Sequence, residues 1–399
     1  MTTEQIIQLN DTYHVNNARR SKIVFSHGEG SYLYDLTGKK YLDLLAGIAV
    51  NTLGYDHPEY TARVTDQFKK LSHISNFFYT EALALLAKKL AKITGLNRSF
   101  FCNSGAEANE AAFKFARKWG KETKGENCFR IGSFKKGFHG RTFGALSATH
   151  KKAYQDAFAP LVPGFFELDP HDSARMDQEL DASVCAVIVE PVQGESGIHP
   201  LPDQCLQGLR KLCTERKILL IVDEIQSGIG RTGKWFGFQH SGIKPDLITM
   251  AKGLAGGVPI GACTMSEDVA AHIQPGDHGS TFGGNALACA AGVATLEIIE
   301  KSNLIENARV TGDYLAAELE KIQAELNIFS EIRHRGLMLG ADMRKPKAKE
   351  IFAQALEAGV VLNAASERTL RFVPPLILTK AGVDEAIAKL RPLFAGLTN

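Results

Sequence analysis

Several features are missing from this chain of 399 residues, and each absence narrows its class. Its seven cysteines (Cys102, Cys128, Cys185, Cys205, Cys213, Cys263, Cys289) are odd in number, dispersed and free of any Cys-x-x-Cys pair. That pattern supports neither a disulfide framework nor a metal cage and fits a reduced compartment. No stretch approaches 18 consecutive apolar residues, and the first ten residues carry Glu4 and several polar side chains in place of a basic leader with an apolar core. A cytoplasmic protein is therefore expected, with no membrane partner. The 46 basic and 44 acidic side chains are spread along the chain without a long basic run, so nucleic acid is not an expected partner either. Internal repeats, low-complexity tracts and Pro/Ser-rich linkers are lacking as well.

What is present is ordinary globular material, 44% apolar and 23% charged, enough for a large core and two domains. From about residue 98, short β-rich runs alternate with helix-periodic stretches, the pattern of a parallel sheet covered by helices. Buried strands are predicted at 99–103, 128–133, 186–190, 218–223, 247–250 and 261–265, with helices at 107–119 and 202–216 between them. Near the N-terminus, Tyr32-Leu33-Tyr34 and Tyr41-Leu42-Asp43 read as a ribbon turning at Thr37-Gly38. After about residue 291, helices alternate with strands at 336–343 and 369–372. The fold class is thus α/β: a mostly parallel central sheet in a large domain, 49–290, and a smaller α+β domain from both chain ends, 1–48 and 291–399.

In open α/β sheets, ligands bind beyond the carboxyl ends of the strands, so polar residues just after apolar runs are the candidates. Ser104 and Glu107 have the Ser-x-x-Glu spacing of a helix cap, and the small Gly105 and Ala106 would let an anion approach the free N–H groups of that helix. Taken alone, such a cap simply starts a helix. The apolar run 218–222 ends in Asp223-Glu224 with Gln226 close behind, which taken alone is as well read as a cap for the next helix. Lys252 lies between the run 247–250 and Gly256-Gly257, where desolvation would lower its pKa and make the amine nucleophilic. Segment 136–142 offers the aromatic face of Phe138 and the guanidinium fork of Arg141. An anion cradle, an aromatic plate, a buried carboxylate and a desolvated lysine together describe a site for pyridoxal 5′-phosphate. No metal is called for.

The ordered set 104–109, 138–142, 190–195, 223–226, Lys252 and Gly279-Ser280-Thr281 resembles the class III pyridoxal-phosphate-dependent aminotransferases, the ornithine/acetylornithine group, over nearly the whole chain. The resemblance implies fold type I. It implies that Ser104, Gly105 and Ala106 bind the cofactor phosphate, that Phe138 stacks on the ring, and that Gln226 meets the ring hydroxyl. Asp223 would pair with the ring nitrogen. Lys252 would hold the cofactor aldehyde and then carry the substrate proton. Thr281, next to Ser280 near the substrate site, would reach the phosphate of a neighbouring subunit, which implies a homodimer with shared active sites. Arg141 and Arg371 would bind substrate carboxylates. Glu195 would cover Arg371 while a terminal-amine donor is bound and release it for the α-carboxylate of glutamate or 2-oxoglutarate.

Gly47-Ile48-Ala49 stands where ornithine-specific members carry a tyrosine, and this smaller apolar wall suits an acylated α-amine. Segment 75–79 matches the family's segment near the substrate mouth. The activity implied is transfer of the terminal amine of N-acetylornithine to 2-oxoglutarate. Succinylornithine, succinyl-diaminopimelate, free ornithine and 4-aminobutyrate are alternative donors; an aminomutase, a decarboxylase and a non-catalytic cofactor-binding relative are alternatives of other classes.

Overall fold

A strand that is apolar on both faces must be covered on both sides, and the centre of this molecule is built from such strands. The computed structural model describes residues 1–170 and 172–397. Its central sheet contains β1 (Arg98–Cys102), β2 (Arg130–Phe134), β3 (Phe165–Leu168), β4 (Val184–Val189), β5 (Leu219–Asp223), β6 (Leu247–Met250) and β7 (Gly261–Met265). Their order is β1-β7-β6-β5-β4-β2-β3. All neighbours are parallel except at β7, which runs antiparallel to both β6 and β1.

Period-two alternation sorts the side chains of β4 and β5 onto two cores. Ala186, Ile188, Leu219 and Ile221 face helix α1 (Gly105–Lys124), which contributes Ala112, Phe113, Ala116 and Trp119. Val187, Val189, Leu220 and Val222 face the opposite core with Leu206, Leu209 and Cys213 of helix Asp203–Glu215. Each fully buried Val, Leu or Ile contributes about 1.5–3 kcal/mol by area, so covering both faces fixes this sheet as the rigid platform of the molecule. Helix α1 is longer than the predicted 107–119 at both ends. The edge strand β3 was not among the predicted strands; its residues are only partly buried apart from Leu168, so no continuous apolar run marks it.

The N-terminal ribbon forms as expected, Tyr32–Asp35 against Lys40–Asp43, and Asp35 closes its turn by accepting from the N–H groups of Thr37 (2.8 Å) and Lys39 (3.0 Å). A third strand, Phe25–Glu29, joins it on one side. On the other, Lys40–Asp43 pairs in parallel with Val360–Val361, so the two chain ends share one sheet. The predicted strand at 336–343 is the second arm of a hairpin, Phe329–Arg335 with Met338–Met343. Gly336 belongs to its turn, at φ +56° and against the backbone of Thr232. Strand Thr369–Phe372 pairs with Met338–Met343 and with Asn363–Ala364. Among the described residues no helix is long and apolar enough to cross a membrane.

Candidate active site

The carboxyl ends of β1, β2, β4, β5 and β6 open onto a cavity of about 450 Å³ lined by Ser104, Gly105, Ala106, Phe138, Arg141, Glu190, Asp223, Gln226 and Lys252, among others. Residues far apart in sequence meet there because parallel strands all deliver their next residue to the same edge of the sheet.

At the end of β1, Ser104 caps α1 by accepting from the Glu107 N–H at 3.2 Å. The Glu107 carboxylate turns back, but to Asn103, accepting from its backbone N–H (3.0 Å) and its Nδ2 (2.9 Å), one residue earlier than the Ser-x-x-Glu spacing suggests. The N–H groups of Gly105 and Ala106 belong to the first turn and have no intrahelical acceptor. A Cβ on Gly105 would meet the Ile225 side chain at 2.8 Å, so glycine is required for the close packing of this end.

Asp223, at the tip of β5, is 2% exposed. Its Oδ2 accepts from Asn109 Nδ2 (2.9 Å) and His139 Nδ1 (2.8 Å), and its Oδ1 from the Ile225 N–H (3.0 Å). Burial disfavours the His139 imidazolium, but the hydrogen bond and charge of Asp223, with the charge of Glu190, outweigh it and raise the His139 pKa above the ordinary value. Glu190 accepts from the Phe138 N–H at 2.8 Å and so fixes the loop presenting that ring. Burial pushes the Glu190 carboxyl up to about 7, against the opposing charge of His139. The sequence reading included Asn109, His139 and Glu190 in motifs without assigning them roles. The available signal was an Asn on the sheet-facing side of α1 and a His directly after the aromatic plate.

Lys252 opens a short turn after β6 with φ +42°. It keeps partial accessibility because it lines the cavity. Enough protein surrounds the amine that desolvation, reinforced by the Arg371 charge, lowers its pKa to about 8 against Glu190, Asp223 and Glu195. Gln226 also lines the cavity, and its buried Oε1 has no acceptor role filled by the protein. A ligand hydroxyl would satisfy it.

Four predicted residues stand outside this cavity. Arg371, on strand Thr369–Phe372, is buried and donates to Glu195 Oε2 (3.0 Å), the Gly194 carbonyl (3.1 Å) and Asn363 Oδ1 (3.1 Å). Glu195 borders an adjoining cavity of about 320 Å³ that shares Phe138 with the first. Ser280 Oγ accepts from Asn103 Nδ2 at 3.0 Å, which places it beside the cradle. Thr281 is exposed and is not among the residues lining the cavity of its own chain. Arg141 lines the cavity with its guanidinium carbon over Tyr154, 3.5 Å from the ring centroid, and has no ion pair with a carboxylate among the described residues.

The family model "Aminotransferase class-III" matches residues 13–394. A curated acetylornithine aminotransferase of Methanocaldococcus jannaschii is 44% identical over 396 residues, 99% of each chain. That of Gloeobacter violaceus is 46% identical, covering 95% of this chain and 94% of its own. Among solved structures, the ornithine aminotransferase of Toxoplasma gondii superposes with a TM-score of 0.95 at 31% identity, covering 100% of this chain and 96% of that one. The acetylornithine aminotransferase of Elizabethkingia anophelis does so at 0.89 and 30%, covering 99% and 100%. The α/β architecture is that of fold type I, and the chain belongs to the class III aminotransferases.

Proposed function

We propose that the chain is a pyridoxal 5′-phosphate-dependent acetylornithine transaminase. It moves the terminal (δ) amino group of N2-acetylornithine to 2-oxoglutarate, giving N-acetylglutamate 5-semialdehyde and glutamate, a step of arginine biosynthesis. The observation that carries this reading is a buried arginine, Arg371, held by a partly exposed glutamate, Glu195, within electrostatic reach of a desolvated lysine, Lys252. A site that must take glutamate in one half-reaction and a donor without a neighbouring carboxylate in the other needs a cation that can be covered and uncovered.

The cavity residues fit the cofactor. The first turn of α1, with Ser104, Gly105 and Ala106, would hold the phosphate on its free N–H groups and the positive helix end. Phe138 would offer a face to the ring, the unpaired Gln226 Oε1 would take a ring hydroxyl, and Asp223 would hold a proton on the ring nitrogen. When bound, pyridoxal phosphate supplies an aldehyde for the amine and a protonated ring that draws off electrons as the substrate proton leaves. His139 and Asn109 keep Asp223 oriented for that task. Lys252 would hold the aldehyde, and its amine, lowered in pKa by burial, would serve as the general base and acid that moves the proton at the substrate carbon. Arg141 binds the carboxylate distant from the reacting amine in both half-reactions. Glu195 neutralises Arg371 while the donor is bound and turns away when an α-carboxylate arrives.

Acetylated donor is favoured over free ornithine because Gly47, Ile48 and Ala49, next in sequence to the cavity-lining Val50, carry no polar side chain to receive an α-ammonium. Succinylated donors satisfy the same chemistry and are separated from acetylornithine by assay.

Two copies complete the enzyme in this reading. Phe77, Phe78 and Tyr79 are 91%, 65% and 104% exposed, Phe282 is 58% exposed, and Thr281 lies beside it. Exposed aromatic surface of this kind marks an interface, and Thr281 would meet the phosphate bound by the partner. We infer domain limits at 1–48, 49–290 and 291–399, supported by the strand pairing of Lys40–Asp43 with Val360–Val361. The free, mostly buried cysteines support a cytoplasmic location.

The test is spectroscopic. The visible absorbance of cofactor-loaded protein is expected to be discharged by N-acetylornithine and restored by 2-oxoglutarate, with free ornithine and 4-aminobutyrate much slower. Faster discharge by either of those would overturn the donor assignment, and a cofactor-saturated protein without visible absorbance would overturn the role of Lys252.

A further inference from the structure

Tyr154 belongs to no motif singled out in the sequence, yet it is the surface on which Arg141 rests. The guanidinium carbon of Arg141 is 3.5 Å from the Tyr154 ring centroid, against 5.8 Å from that of Phe138. Both partners sit on fixed supports. The turn carrying Tyr154, Lys152–Gln155, is fastened by Gln155 Nε2, which donates to the carbonyls of Leu146 (3.1 Å) and Thr149 (3.0 Å). The loop carrying Arg141 is fastened by Glu110, which accepts from Thr142 Oγ1 (2.6 Å) and the Ala145 N–H (3.0 Å). Lys151 Nζ donates to the Tyr154 hydroxyl at 2.9 Å.

A guanidinium stacked on an aromatic face keeps its N–H donors in the plane, free for a bidentate carboxylate. An exposed arginine without that plate would have to give up its rotamer freedom each time a carboxylate bound. We propose that Tyr154 is a positioning residue that sets affinity for substrate carboxylates by holding the Arg141 guanidinium pre-oriented over its ring. The proposal rests on the reading of Arg141 as the site of the distant carboxylate. Tyr154 lines the adjoining cavity with Glu195 and is not among the residues around Lys252; its effect lies in the aromatic face, which Lys151 Nζ also approaches to 4.1 Å from the centroid, and not in the hydroxyl.

The experiment is calorimetric binding of glutarate, a dicarboxylate with neither amine nor keto group, to the cofactor-loaded enzyme. Tyr154→Leu is expected to weaken binding about 5-fold, the scale of one cation–π contact, and Tyr154→Phe to keep wild-type affinity. Arg141→Gln should weaken it further, and the double variant Arg141→Gln/Tyr154→Leu should bind no worse than Arg141→Gln alone. In the half-reaction, Tyr154→Leu should raise KM for N-acetylornithine with little change in kcat, while n-butylamine, which has no carboxylate, reacts equally with variant and wild type. Unchanged glutarate affinity in Tyr154→Leu, or additive losses in the double variant, overturns the proposal while leaving the role of Arg141 intact. A matching loss with n-butylamine overturns it too, since Tyr154 would then act on the fold. Unchanged affinity in Arg141→Gln overturns the reading of Arg141 and the proposal with it.

Discussion

Arg371 and Glu195 form an ion pair at 3.0 Å in which the arginine side chain is 3% exposed and the glutamate 36%. The asymmetry matters. Arg371 is fixed by the Gly194 carbonyl and Asn363 as well, whereas Glu195 has the surface and the freedom to leave. Glu195→Gln should leave Arg371 uncovered at all times. The ratio of kcat/KM for N-acetylornithine to that for glutamate is then expected to fall about fivefold, on the scale of one charge pair of roughly 1 kcal/mol. Were the pair only a tie between two loops, the melting temperature would drop and the ratio would hold.

Capture of cofactor by the apoprotein should reveal the lowered pKa of Lys252. Only the neutral amine attacks an aldehyde, and burial brings the midpoint of its deprotonation to about 8. The capture rate, followed by visible absorbance after mixing, is expected to rise with pH and level off above about 8. A rate still climbing beyond pH 10 would mean an ordinary exposed lysine.

Removing the amide of Asn109 takes one donor from Asp223 and the partner of the His139 carbonyl. Asn109→Ala is therefore expected to lower stability by about 1–3 kcal/mol, the cost of leaving buried acceptors short of donors. Urea denaturation measures this, and an unaltered midpoint would contradict it.

Glu224 is buried and accepts from Ser227 Oγ (2.7 Å) and the N–H groups of Gly237 (2.9 Å) and Phe238 (2.8 Å), yet burial raises its pKa from 4.5 to about 7. A raised carboxyl pKa means that the native state holds the proton more tightly than the unfolded chain. Its stabilising contribution is complete below about 4.5 and is lost as pH rises through about 7. Denaturation midpoints of wild type and Glu224→Gln, compared from pH 5 to 8, should shift against the wild type as pH rises. A constant gap would show that Glu224 does not titrate in this range.

Much of this was legible in the chain because it is local. The apolar runs at 186–189 and 219–222 have no polar face and so declare buried strands, and a residue placed just after such a run, as Asp223 and Lys252 are, is carried to the ligand-binding edge by topology alone. The cap at Ser104 was equally readable, although the backbone N–H that the Glu107 carboxylate accepts from proved to be that of Asn103. The strand read from Gly336 starts instead at Met338, because Gly336 lies in a hairpin turn packed against the distant backbone of Thr232, a contact that leaves no mark in the local pattern.

By itself, then, the sequence determined six of the seven central strands, the capped helix and the placement of Lys252, Asp223 and Phe138 at the strand-end cavity, since these follow from periodicity and strand-end placement. Only the tertiary structure decided their electrostatics. His139 and Asn109 reach Asp223 across 84 and 114 residues, and Arg371 reaches Glu195 across 176. Such pairs depend on how the sheets pack, and the desolvation that tunes Lys252 and Glu190 exists only once the surrounding chain has excluded water.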